Sequence, residues 1–290
     1  MDILILKSMI EGIHLAVYSS IKPGAYHKLR FNRETEVLVS NTISVIDYII
    51  QAIEYGERVR RGELAITNIR IGKLLAKAIR ESYRWNGGRV YPSTIIPQII
   101  YSVALSHSNI DSVIRDAGKL KKSLDLILGI NDWREIRQII DAFKSVHRED
   151  MYEHLVSTGL TQIAGIEGQV TFNDVFRVLS SKWVAFIVLD IYEYKVVELV
   201  KKLLEYYKKY GDAENSIVAL YLDLIKNKVP DWAKKYIDEA FKKGLMASKE
   251  GAKKLFELDS NLRKNNISFN EYVSLLAMVS SLAIYEGMRP

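Results

Sequence analysis

Apolar residues along the chain recur at steps of three and four rather than two, as in Ile43, Ile46, Ile50 and Ile53, or Val196, Val197, Leu199, Val200, Leu203 and Leu204. That spacing places them on one face of a helix, and it holds over nearly every periodic segment. The pattern predicts an all-α chain of about a dozen helices, near residues 3–19, 34–55, 66–84, 93–107, 110–128, 132–147, 150–158, 172–181, 183–209, 213–227, 231–243 and 248–286, the last broken near 265.

Polar punctuation supports this reading. Asp212, Ser248, Thr171 with Asp174, and Ser268 with Glu271 stand where helix N-caps belong, because their side-chain oxygens accept the unpaired N–H groups of a first turn. Gly56, Gly87-Gly88, Gly129, Gly211 and Gly244 mark helix ends. The stretch from Ser157 to Val170 is the least helical and is the expected place for a lid or subdomain junction near 157–170. No composition shift flanks it, so residues 1–290 read as one compact multi-helix domain.

Composition narrows the function classes. The 290 residues are 48% apolar, enough for a large core, and contain no cysteine. Disulfides, thiolate metal sites and a cysteine nucleophile are thereby excluded, which suits a cytoplasmic protein. The longest apolar run, Trp183 to Leu189, lies between Lys182 and Asp190 and falls far short of the ~20 residues of a spanning helix, so no membrane association is expected. The apolar N-terminus is interrupted by Lys7 and Glu11 and lacks a signal-peptide cleavage site.

The formal charge is +6, but Arg58 to Arg89 alone holds nine Lys or Arg against Glu63 and Glu81, a local balance of 9 − 2 = +7. Arg70, Lys73, Lys77, Arg80 and Arg84 follow steps of three and four, which aligns them on one face of the 66–84 helix. Such a stripe suits an anionic partner, whether nucleotide, acidic protein or nucleic acid; a solvated face answered by acidic neighbours is the plainer alternative. Just beyond it, Tyr83, Trp85 and Tyr91 mix with Arg84 and Arg89 around Gly87-Gly88, a mixture that suits base stacking or ordinary core packing.

Near the start, Ser19-Ser20-Ile21-Lys22-Pro23-Gly24-Ala25-Tyr26-His27-Lys28 separates two helical segments. Pro23 cannot continue a helix and Gly24 tolerates left-handed backbone angles. With Lys22 and Lys28 flanking the break, the tract reads either as a phosphate cradle or as a plain helix connection. The histidines show no metal-ligand spacing, and His147 and His154, which bracket Glu149, Asp150 and Glu153, are explained by a polar helix junction. No GxxxxGK[ST] loop, GxGxxG fingerprint or GxSxG elbow occurs.

The order of these features resembles the triphosphoribosyl-dephospho-CoA synthase family. Ile21-Lys22-Pro23-Gly24 with Lys28 is similar to its Pro-Lys-Pro-Gly loop and following basic residue, and Val37-Leu38-Val39-Ser40 to its Phe-Leu-x-Ser core. Asn86-Gly87-Gly88 before the apolar Ile95–Ala104 segment, Pro230-Asp231 with Lys234-Lys235, and Leu258-Asp259-Ser260-Asn261-Leu262-Arg263 resemble later family motifs. The chain departs from the pattern at Ala16, where the family has glutamate, at Arg89-Val90 in place of an Asn-Thr pair, and at Ser268–Ser274 in place of an Asn-Pro-Gly-Thr-Thr-x-Asp stretch.

The resemblance implies a divergent, all-helical member whose parent reaction joins the ribosyl triphosphate of ATP to dephospho-CoA and releases adenine. It implies Mg and ATP as cofactors, and a nucleotide or coenzyme A-like ligand. Lys22, Gly24, Lys28, Arg70 and Arg263 would bind it, and Asp190, Asp231 and Asp259 would be the catalytic carboxylates. The alternative is a catalytically degenerate helical scaffold that binds an acidic protein or nucleic acid through helix 66–84.

Overall fold

The computed structural model describes residues 2–30, 32–163 and 169–290. Its first eight helices are α1 (Ile3–Tyr18), α2 (Arg33–Ser44), α3 (Ile46–Arg60), α4 (Ile71–Trp85), α5 (Pro92–Ser108), α6 (Ala117–Leu128), α7 (Trp133–Ser145) and α8 (Glu149–Ser157). They are followed by α9 (Leu160–Ile163), α10 (Phe172–Ser180), α11 (Val196–Tyr210), α12 (Ala213–Ile225), α13 (Asp231–Lys242), α14 (Lys249–Lys264) and α15 (Tyr272–Tyr285), with 3₁₀ segments at Ile66–Asn68, Val184–Leu189 and Leu245–Ala247. No strand occurs among the described residues, so the all-α expectation holds. Part of the expected lid at 157–170 lies outside the described residues.

Several helices differ from the spacing-based reading, each for a local reason. The 34–55 segment is two helices meeting at Val45 with a 43° bend. The 66–84 helix begins only at Ile71, leaving Arg70 at its N-cap. Residues 183–209 are not continuous, because Asp190 accepts the N–H groups of Tyr192 and Glu193 and Tyr194 takes a left-handed φ of 44°. The start of α15 is Glu271 without a side-chain cap, so Ser268 does not serve the capping role expected of it. Asp212, Ser248 and the reciprocal Thr171/Asp174 box do cap their helices.

The core is organised around three helices that are buried along nearly their whole length, α5, α12 and α15. Helix α1 lies directly on α15. A Cβ placed on Gly12 would fall 2.0 Å from Ser281 Oγ and 2.6 Å from its backbone nitrogen, so only glycine permits this approach. No single helix among the described residues is long and apolar enough to cross a membrane. The result that matters for function is convergence: the loop after α1, the start of α2, the segment before α5, the α7–α8 junction and the start of α15 meet at one place.

Candidate functional site

The loop after α1 is tied down from several directions. Gly24 has a left-handed φ of 76°, its N–H donates to Asp259 Oδ1 at 2.9 Å, and its carbonyl accepts the N–H of Phe269 at 2.8 Å. Tyr221 donates its hydroxyl to the Pro23 carbonyl at 2.6 Å. Asp259, on α14, also receives Arg263 Nε at 3.0 and 3.1 Å and Arg30 Nε at 3.0 Å, with the His27 ring 3.7 Å away. Burial alone would raise the Asp259 pKa, but His27, the Gly24 N–H and Arg263 outweigh it and hold the carboxyl at about 2. His27 is itself buried and held below its usual value, mainly by desolvation.

The sequence-expected ligand groups divide on this geometry. Gly24, Asp259 and Arg263 come together, but as a latch: the four acceptor directions of the Asp259 carboxylate are taken by Gly24, Arg30 and Arg263. Lys22 points inward. It is fully buried, and its Nζ donates to Ser19 Oγ at 2.7 Å and to the Ser19 and Val17 carbonyls at 3.2 and 3.5 Å, so it closes the C-terminal end of α1 instead of facing an open cradle. Desolvation pushes its pKa down to about 7, against an upward pull from Glu214. Lys28 is ion-paired with Glu214, which also accepts Ser20 Oγ at 2.7 Å.

The remaining expected residues stand elsewhere. Arg70 lies 3.4 Å from Glu135 and 3.7 Å from Asp132, at the α4–α7 contact. Asp190 organises its own turn, and Asp231 is 95% exposed at the start of α13, paired among the described residues only with Lys234 at 2.7 Å. None of these three lines the cleft described next.

Beside the latch opens a cleft of about 490 Å³. Tyr26 continues the Gly24 loop into its wall, joined by Glu34 and Leu38 of α2 and by residues 88–91 and Ser93. Val146, His147, Arg148 and Asp150 of the α7–α8 junction and Trp183 face them, and Asn270, Glu271 and Ser274 close the α15 side. Left-handed Gly88 (φ 85°) and His147 (φ 54°) make the tight bends in two of these walls.

The cleft's charged groups are largely paired. Glu34 accepts the Tyr91 hydroxyl and an Arg89 guanidinium nitrogen, while the Tyr91 N–H donates to Asn41 at 2.7 Å. Arg148 grips Asp150 with two bonds of 2.8 Å. Burial opposes ionisation of Asp150, but Arg148 wins and lowers its pKa. The Tyr91 hydroxyl is driven well above its usual pKa by burial and by Glu34. Glu271 differs: its carboxylate has no partner outside its own backbone among the described residues, and desolvation raises its pKa.

The arrangement offers aromatic walls for a planar ring, two guanidinium groups for phosphate, and one uncommitted carboxylate. Among the described residues no cluster of three or more His, Asp or Glu could hold a metal ion. The donor set, with Glu34 and Asp150 already engaged, does not fit a resident magnesium site. The sequence named Arg89 and Tyr91 as suiting base stacking or core packing, and marked the polar His147–Asp150 junction. It missed Glu34, Trp183 and the α15 residues, whose only signal was the Ser268–Ser274 stretch singled out for its departures. Of the other two aromatics it named, Trp85 is 68% exposed on a separate groove and Tyr83 stands behind Gly88.

No protein-family model and no curated protein sequence matches the chain. In structure it is similar to a crystal structure from Archaeoglobus fulgidus described as a candidate triphosphoribosyl-dephospho-CoA synthase, with a TM-score of 0.55 and 18% identity over 88% of this chain and 99% of that one. At that identity the likeness is one of architecture alone: the chain shares the all-helical fold of that protein.

Proposed function

We propose that the chain binds an adenine nucleotide and a coenzyme A-like nucleotide in the cleft beside the Gly24 loop, and that its reaction is transfer of a triphosphoribosyl group from ATP to dephospho-CoA. The observation that carries this reading is the meeting of Arg89, Arg148, Tyr26, Tyr91 and Trp183 on one cleft, in a fold shared with such a synthase. Ring stacking on the aromatic wall and charge-assisted hydrogen bonds from the arginines are the two contacts a nucleotide needs. Magnesium would arrive with the triphosphate rather than reside in the protein. Calorimetric titration with Mg-ATP and with dephospho-CoA tests the binding; no heat at millimolar ligand removes the proposal. Chromatographic detection of adenine then separates turnover from binding alone.

A second reading, a scaffold for an acidic protein or nucleic acid, draws on α4. There Lys73, Lys77 and Arg84 are exposed and make no side-chain ion pair among the described residues, whereas Arg70 is answered from α7. Under this reading, Lys73→Glu with Lys77→Glu abolishes capture of the polyanion and leaves nucleotide binding intact.

A further inference from the structure

We propose that Glu271 is the proton acceptor of the cleft, taking the proton of a ligand hydroxyl as that oxygen attacks the ribose carbon. The inference rests on the nucleotide-transfer reading above and assigns one residue within it.

The position of Glu271 is fixed by the fold. It stands at the N-terminal boundary of α15, a helix buried along its length, and lines the cleft together with Ser274 one turn further on. Ser274 is itself tied to Thr94 at 2.8 Å, which holds this edge of α15 against α5. The backbone of Glu271 is thereby fixed at the cleft edge, and its exposed side chain can turn towards a bound hydroxyl.

Its availability follows by comparison with the other carboxylates on the cleft. Glu34 is occupied by Tyr91 and Arg89 and Asp150 by both arms of Arg148, while His147, 73% exposed, is turned through Nδ1 towards Glu149 at 3.2 Å. The groups that act electrostatically on or from Glu271 are neutral tyrosines, Tyr272 of its own helix and Tyr221 of α12. The cations that share the cleft, Arg89 and Arg148, are committed to other carboxylates. Glu271 is thus open to the cleft, with no partner beyond its own backbone N–H among the described residues, and desolvation raises its affinity for a proton.

The step balances without an oxidant or reductant. A bond forms between the attacking hydroxyl oxygen and ribose C1′, and the C1′–N bond to adenine breaks with its electron pair moving into the adenine ring. The hydroxyl proton passes to the Glu271 carboxylate and from there to the departing adenine, so the carboxylate is regenerated.

The test compares wild type with Glu271→Gln and Glu271→Asp, measuring adenine release across pH and the affinities for ATP and dephospho-CoA by calorimetry. Glu271→Gln should bind both ligands within about threefold of wild type while its turnover falls on the order of 10²–10⁴-fold, and Glu271→Asp should recover part of the rate. The acid limb of the wild-type rate profile should lie above pH 4.5, the ordinary value for the group, and be absent from the glutamine variant. Turnover by Glu271→Gln within about fivefold of wild type overturns the assignment. So does loss of binding in that variant, or a wild type that binds both ligands without releasing adenine. A wild type that binds neither overturns the nucleotide reading itself, and this inference with it.

Discussion

Asp259 accepts the backbone N–H of Gly24 at 2.9 Å, joining positions 235 residues apart in sequence. That one bond, reinforced by Arg30 and Arg263 on the same carboxylate, fixes the loop that carries Tyr26 into the cleft. Asp259→Asn keeps the shape but removes the charge two guanidinium groups share, and should cost about 2–3 kcal/mol of stability by urea denaturation. The pH dependence has a definite sign. The folded pKa of about 2 lies below the ordinary 3.8, so the contribution is complete above about pH 4 and is lost as pH falls towards 2. A variant whose acid unfolding matches wild type contradicts this account of the latch.

Lys22 titrates in the opposite sense to a stabilising lysine. Folded, its pKa is about 7 against 10.5 when unfolded, so between those values the unfolded chain binds more protons and stability rises with pH, by up to about 1.4 kcal/mol per unit. Below pH 7 the folded protein bears the full cost of burying the charge. Lys22→Met should therefore be more stable than wild type at pH 6, and that advantage should vanish by about pH 10. Parallel pH–stability curves for the two proteins would refute the burial argument.

Two glycines give a matched pair. Gly12→Ala drives a methyl into the backbone of α15, where Ser281 N and Ala277 O lie 2.6 and 2.7 Å from the new Cβ, and should cost about 2–3 kcal/mol. Gly118→Ala, on α6, meets nothing within 4 Å and should stabilise by about 0.5 kcal/mol. Thermal melts of both variants check the α1–α15 contact directly.

Arg89 is 39% exposed in its side chain and paired with a Glu34 that is 34% exposed. Arg89→Met should leave stability within about 1 kcal/mol of wild type, since partly solvated pairs contribute little. Its affinity for ATP should fall about tenfold. Unchanged affinity in calorimetry would move the phosphates away from this wall.

Helix placement was legible because period, caps and glycine stops all act within a few residues. Where it failed, a side chain overrode the period: Asp190 caps its own turn and breaks what reads as one helix, and the α15 start ignores Ser268. The site was harder. Lys22 beside a Pro-Gly break reads as a surface cation, and only the packing of α1's end shows that it is interior. Glu34, Arg148, Trp183 and Glu271 come from separate elements and share no local motif, so nothing short of the fold brings them together. The Gly24–Asp259–Arg263 association was visible through family order, yet order could not say that these residues bind one another.

Because Arg89 and Arg148 each already hold a carboxylate, a phosphate entering the cleft under the proposed function would share each guanidinium with Glu34 or Asp150. Each guanidinium carries five N–H donors, so a dense anion can be taken up beside Glu34 or Asp150 without releasing either carboxylate. The cleft is thereby set against weak anions, and a nucleoside without phosphate passes without disturbing either pair.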